Sequence, residues 1–274
     1  MKKFLFLFAL FFVLGLNAQE KQPTAQPNVK IISENFEMPQ LHRNRRIWVY
    51  LPPDYESSKK KYPVMYLHDG QNLFDDKTSF SGEWQIDESL NKIFSETQKS
   101  AIVVGIDNGG DKRIDELTPW KNEKYGGGES DQYLKFIVET LKPYIDKNYR
   151  TKTCAKFTTL GGSSLGALIS VYGGVKYPKT FGKILAFSPA FWINLNELGS
   201  FIKQSKGNLK KQKYYFIQGK HESEKIGVET SKIIQDLENK GVKKANIFFR
   251  ADEDGKHNEM YWRREFRGAF LWLN

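Results

Sequence analysis

The stretch Phe157-Thr158-Thr159-Leu160-Gly161-Gly162-Ser163-Ser164-Leu165-Gly166-Ala167-Leu168 decides how this chain folds. A β-prone run, Phe157 to Leu160, passes through glycines and serines straight into an apolar segment, Leu168 to Val175, of helical character. Gly162, Ser164 and Gly166 fit G-x-S-x-G, a pattern that demands a sharp strand-to-helix turn with glycines where a Cβ would clash. Such a turn presents the Ser164 hydroxyl above a sheet. The N–H groups that open the following helix, Leu165 first, stand where an oxyanion would develop.

Outward from this turn the same alternation continues. Short apolar or β-branched runs at Ile47 to Leu51, Val64 to Leu67, Ala101 to Ile106, Ile184 to Phe187, Tyr214 to Ile217 and Ile247 to Phe249 read as strands. Between them, Leu134, Ile137, Val138, Leu141 and Ile145 mark one helical face, and Ile226, Ile233, Ile234 and Leu237 another that stops at Gly241. Strands alternating with helices predict a mostly parallel sheet covered on both faces, with functional loops at the carboxyl ends of its strands.

The 274 residues, 39% of them hydrophobic, suffice for one full core. Residues 1 to 19, with Lys2 and Lys3, an apolar run from Phe4 to Leu16 and then Asn17-Ala18-Gln19, have the layout of a secretory signal peptide. The apolar run is short of the roughly 20 residues a spanning helix needs, so no stable membrane anchor is expected. Residues 20 to 39 are expected to be a flexible lead-in, and 40 to 274 the catalytic domain. Export to the periplasm or beyond follows from the leader.

Cys154 is the only cysteine, which excludes an internal disulfide and a cysteine-rich metal site and suggests a buried or idle thiol. The formal charge is +10, and without Lys2 and Lys3 there remain 40 basic against 32 acidic residues, or +8. The lysines are dispersed in pairs such as Lys210-Lys211 and Lys243-Lys244 with no recognition motif, so nucleic acid is not an expected partner. Asp252-Glu253-Asp254-Gly255 lacks calcium-loop spacing, and Gly126-Gly127-Gly128 lacks the lysine of a phosphate loop. Neither a cofactor nor a metal is expected.

A serine nucleophile needs a base. Of His42, His68, His221 and His257, only the last two follow the turn, as the order serine, acid, histidine requires. His257 follows the strand Ile247 to Phe249 through a polar loop. His68, in the loop after Val64 to Leu67, is expected to pack there instead. The acid should lie after Tyr214 to Gln218, where Glu222 is the first choice and Glu224 the second. The second oxyanion donor should come from the loop His68-Asp69-Gly70-Gln71-Asn72, with Gln71 N–H in that place. Trp84, Trp120, Phe191 and Trp192 fall near strand ends and are candidates to line a cleft for an aromatic or sugar-linked substrate.

The segments Tyr66 to Asp75, Gly105-Ile106-Asp107-Asn108, Arg113 to Trp120, Gly162 to Gly166, Gly219 to Glu222 and His257-Asn258-Glu259 with Trp262 together resemble an esterase family of α/β-hydrolases. That family includes siderophore esterases, feruloyl and acetylxylan esterases, S-formylglutathione hydrolases and mycolyltransferases. The resemblance spans roughly residues 40 to 274. It implies the α/β-hydrolase fold, a triad of Ser164, Glu222 and His257, oxyanion donors at Gln71 and Leu165, and a small-molecule or glycan-linked ester as substrate. An acyltransferase, in which an alcohol replaces water, and a binding protein that has lost its chemistry are the competing readings.

Overall fold

The computed structural model describes residues 21 to 274, so the leader expected at 1 to 19 lies outside the described residues. In chain order the elements are β1 (Val29–Met38), β2 (Arg43–Tyr50), β3 (Val64–His68), α1 (Ile86–Thr97), β4 (Ile102–Ile106), α2 (Arg113–Leu117), α3 (Ser130–Lys135), α4 (Lys142–Asn148), β5 (Thr158–Ser163), α5 (Leu165–Lys176), β6 (Lys183–Phe187), α6 (Leu195–Gln204), β7 (Lys213–Gly219), α7 (Ile226–Asn239), β8 (Ile247–Asp252) and α8 (Glu259–Leu273). A wider-wound stretch, Phe136–Leu141, joins α3 to α4.

The strands form one eight-stranded sheet in the order β1-β2-β4-β3-β5-β6-β7-β8. β2 runs antiparallel to both of its neighbours, β1 and β4, and the remaining pairs are parallel, as the strand–helix alternation predicts. Strands β3 to β6 are buried at every residue, which is why they read as continuous apolar runs. The pleat sends alternate side chains to opposite layers. Tyr66, Ile184 and Phe216 pack with Leu134, Leu168 and Ile233 of the helices on one face. Met65, Leu67 and Leu185 pack with Leu90 of α1 and Phe266 of α8 on the other. Helices therefore cover both faces, and Gly241, at φ 97, ends the turn after α7 as its place in the sequence predicts.

Two expectations are corrected. The flexible lead-in over 20 to 39 ends early, because Val29–Met38 is the edge strand β1, paired with β2 from Val29↔Tyr50 to Met38↔Arg43. Before it, Thr24 and Gln26 bond to Asp75 and Asp87 of the domain. Cys154 is exposed, not buried. Among the described residues no helix is long and apolar enough to cross a membrane.

Candidate active site

β5 ends at Ser163 and α5 begins at Leu165, so a single residue makes the turn between them. Ser164 does so at φ 57 and ψ −119, a conformation a side-chain-bearing residue holds only when its surroundings enforce it. The end of β6 supplies that enforcement. Ser164 N–H donates to Phe187 O at 2.9 Å, and Ala190 N–H donates to Ser164 O at 3.1 Å. A Cβ on Gly162 would lie 3.2 Å from both Gly166 and the His68 ring, so the elbow glycines are needed for close approach. Leu165, first in α5, has an N–H without an intrahelical acceptor.

The second donor loop leaves β3 through Asp69, held at φ 56, into a short turn, Gly70–Asn72. Gln71 N–H lies in the first turn there and likewise has no acceptor within it. The loop is held by charge. The Asp69 carboxylate accepts Arg113 Nε at 2.6 Å, Arg113 Nη2 at 2.9 Å and Asn108 Nδ2 at 2.7 Å. Burial would raise the Asp69 carboxyl, but the Arg113 guanidinium and these hydrogen bonds outweigh it and hold the group below its ordinary value. Arg113 is itself carried by α2, which Glu116 pins by accepting Arg45 Nη2 at 2.6 Å and Arg43 Nη1 at 3.0 Å. Gln71 Oε1 accepts Asn108 N–H at 3.1 Å, closing the loop onto the segment after β4.

On the other side of the elbow, Glu222 follows β7 and His257 follows β8, and Glu222 Oε2 lies 2.8 Å from His257 Nδ1. The second oxygen, Oε1, accepts Gly219 N–H at 2.5 Å and the Ser188 hydroxyl at 2.7 Å. Among the described residues no hydrogen bond joins Ser164 Oγ to His257 in this state, a contact that commonly tightens only when substrate is bound. The serine, Ser188, Glu222, His257 and the Gln71 loop all lie beyond the carboxyl ends of parallel strands, where this architecture places its chemistry. An imidazole fixed at Nδ1 by a carboxylate has Nε2 available to exchange a proton with a hydroxyl, and paired N–H groups can stabilise an oxyanion.

The alternative residues stand elsewhere. His221 is exposed and contacts Glu253, and Asp252 pairs with Arg264 at 2.6 Å. His68 is buried with Nδ1 2.9 Å from Tyr133 Oη, and burial pushes its imidazole down to about 4, in keeping with a packing role. Of the four aromatic candidates, Trp84 is 3% exposed, stacked on Phe187 and tilted against Trp262, and Phe191 is fully buried. Both are core residues, and the expectation that they line a cleft is corrected. Trp120 is half-buried against Tyr172 and Phe201, whereas Trp192 is 53% exposed beside Tyr125.

Sequence reasoning missed Ser188. It is fully buried at φ 45, its hydroxyl donates to Glu222, and it accepts Trp262 Nε1–H at 2.9 Å. The available signal was Ser188-Pro189 immediately after the strand Ile184 to Phe187, a turn-forming pair at a functional strand end.

Comparison with known proteins agrees with the fold. A Bacillus subtilis protein described as "Uncharacterized protein YbbA" is 28% identical over 243 residues, covering 84% of this chain and 92% of its own length. Among solved structures, a ferulic acid esterase superposes with a TM-score of 0.68 at 18% identity, over 90% of this chain and 98% of its own. The Shigella flexneri enterobactin esterase superposes with a TM-score of 0.73 at 20% identity, over 92% of this chain and 60% of its own. The family model described as "Putative esterase" matches residues 39–273. With an elbow serine, a carboxylate–histidine pair and that match across nearly the whole domain, the chain belongs to this esterase family of α/β-hydrolases.

Proposed function

We propose that this esterase cleaves carboxylic esters through an acyl-enzyme on Ser164. His257 takes the serine proton as the hydroxyl adds to the ester carbonyl. The oxyanion is held by Gln71 and Leu165 N–H, and the tetrahedral intermediate expels the alcohol, which leaves with that proton. Water then adds to the acyl carbon, losing a proton to His257; the bond to Ser164 Oγ breaks as His257 returns that proton to the serine, and the acid is released. Glu222 keeps the imidazole in the required tautomer and stabilises its cation. The observation that carries this reading is the 2.8 Å contact of Glu222 with His257 Nδ1 beside a serine at positive φ.

Acetyl or feruloyl esters carried on polysaccharide, or siderophore esters, are the substrates we favour, acted on after export through the leader at residues 1 to 19. The exposed Trp192–Tyr125 pair, in edge contact at 5.3 Å, offers an aromatic or sugar face, and the named activities of the similar esterases point the same way. An organophosphorus probe tests the mechanism. The adduct is expected on Ser164 by peptide mass spectrometry, with ester hydrolysis abolished in step and Ser164→Ala neither labelled nor active. A label on another residue, or a tenth of the activity surviving in Ser164→Ala, refutes it.

A further inference from the structure

At the start of α1, outside the triad and the oxyanion donors, three carboxylates cluster together. One oxygen of each is accounted for by the segment before β1. Glu83 Oε2 accepts the Thr24 hydroxyl at 2.8 Å, Asp87 Oδ2 accepts Gln26 N–H at 2.8 Å, and Glu88 Oε1 accepts Gln26 Nε2 at 3.5 Å. The other oxygens, Glu83 Oε1, Asp87 Oδ1 and Glu88 Oε2, are buried without a hydrogen-bond partner. Glu83 is 4% exposed and Asp87 0%. One oxygen from each of the three carboxylates lies within 4.8 Å of the others.

Elementary electrostatics makes this arrangement unstable by itself. A buried carboxylate oxygen with no partner is costly, and three together repel. The helix dipole favours negative charge in the first turn of α1, but it offers Asp87 and Glu88 only a fraction of a charge. The charges acting most on Glu83 are Glu88, Asp75 and Asp76, all of them negative. Either protons or a cation must neutralise the group.

We propose that Glu83, Asp87 and Glu88 bind one calcium ion, which fastens the Thr24–Gln26 segment to α1. The donor set is carboxylate oxygen alone, the chemistry of a hard cation. Oxygens that all lie within 4.8 Å of one another can share one ion, and a flexible, irregular carboxylate set suits calcium better than magnesium, which demands near-ideal octahedral geometry. The role is structural. The loop containing Glu83 continues into Trp84, whose N–H donates to Asn72 O at 2.8 Å, so the ion braces the loop that carries Gln71 without touching the reacting atoms.

The test uses the full chain stripped with EDTA and returned to calcium chloride or magnesium chloride. Calorimetric titration is expected to show one calcium per chain, and saturating calcium to raise Tm by about 5 °C, with a smaller response to magnesium. Glu83→Gln and Asp87→Asn should each weaken calcium binding at least tenfold. Terbium luminescence sensitised by Trp84 and displaced by calcium gives a reading on the wild type should those variants fail to fold. Equal Tm in calcium and EDTA with no terbium signal overturns the proposal and leaves shared protons as the neutralising agent. A calcium response that survives in the double variant overturns it as well. Loss of ester hydrolysis in EDTA while the protein is still folded would make the ion catalytic, which also contradicts it.

Discussion

Replacing Ser188 by alanine removes one oxygen from a buried position and should separate positioning from packing. Two interactions are lost together, the donation to Glu222 Oε1 at 2.7 Å and the acceptance of Trp262 Nε1–H at 2.9 Å. A hydrogen bond to a charged acceptor contributes about 1.5–3 kcal/mol, and leaving a buried N–H unpaired costs about 1–3 kcal/mol. The two share one hydroxyl, so they do not add, and a net loss of about 2–3 kcal/mol is expected, or roughly 5–10 °C in Tm for a domain of this size. The effect on turnover should be smaller. Glu222 keeps Gly219 N–H on one oxygen and His257 on the other, so the carboxylate loosens without leaving.

A misplacement worth about 1.4 kcal/mol at the barrier lowers kcat roughly tenfold. Ser188 is fully buried, so KM should hold. Steady-state kinetics on p-nitrophenyl acetate, with urea unfolding of the same samples, measures both quantities. In a Trp262→Phe background no indole N–H is left orphaned, and the stability loss from Ser188→Ala should shrink by about 1 kcal/mol. Unchanged kcat beside the full stability loss would refute the positioning role, and so would a change confined to KM.

Three other outcomes follow from the same geometry. Glu222→Gln should lower kcat by at least a hundredfold and Glu224→Gln by less than twofold, because only Glu222 reaches the imidazole; equal losses in a kinetic comparison would refute the assignment. Arg113→Met strands the buried Asp69 carboxylate with Asn108 alone, and should cost about 2–3 kcal/mol in urea unfolding near pH 7 together with a fall in kcat. Burial, with Lys213 nearby, pushes Lys183 down to about 8, so the unfolded chain binds more protons from about pH 8 to 10.4 and stability rises with pH there; Lys183→Met should raise Tm near pH 7 and remove that slope in scanning calorimetry.

Central strands were legible because burial on both faces leaves a continuous apolar run, as in Val64–His68 and Ile102–Ile106. β1 was not, since its register shifts between Ile31 and Ser33 and again before Phe36 break the period-two pattern on a half-exposed edge. Ser164 could be read locally, because the turn it occupies demands glycines within two residues on either side. Glu222 and His257 could be read from strand-end position and chain order. Ser188 depends on β6 lying beside β7, which brings residues 34 apart into contact, and no local pattern records that pairing. Trp84 and Phe191 show the converse. A loop aromatic near a strand end satisfies the same sequence criteria whether it faces substrate or, as here, another ring.

The Asp69–Arg113 pair has a consequence for the chemistry as well as for the loop. Asp69 lies two residues before Gln71, so an uncompensated carboxylate there would oppose the negative charge that develops at the oxyanion. Like charges a few ångströms apart at an effective dielectric near 20 repel by a few kcal/mol, on the order of what one backbone donor contributes. The bidentate guanidinium, with contacts of 2.6 and 2.9 Å, removes most of that field while holding the turn that aims the N–H group. A lysine could neutralise the charge but not fix the carboxylate in both directions, because its ammonium is a point charge on a flexible stem. Glu116 completes the device by binding Arg43 and Arg45 and so setting α2, from which Arg113 extends. The donor loop is thus placed by three arginines and two carboxylates, and the elbow by backbone hydrogen bonds and the close packing its glycines allow.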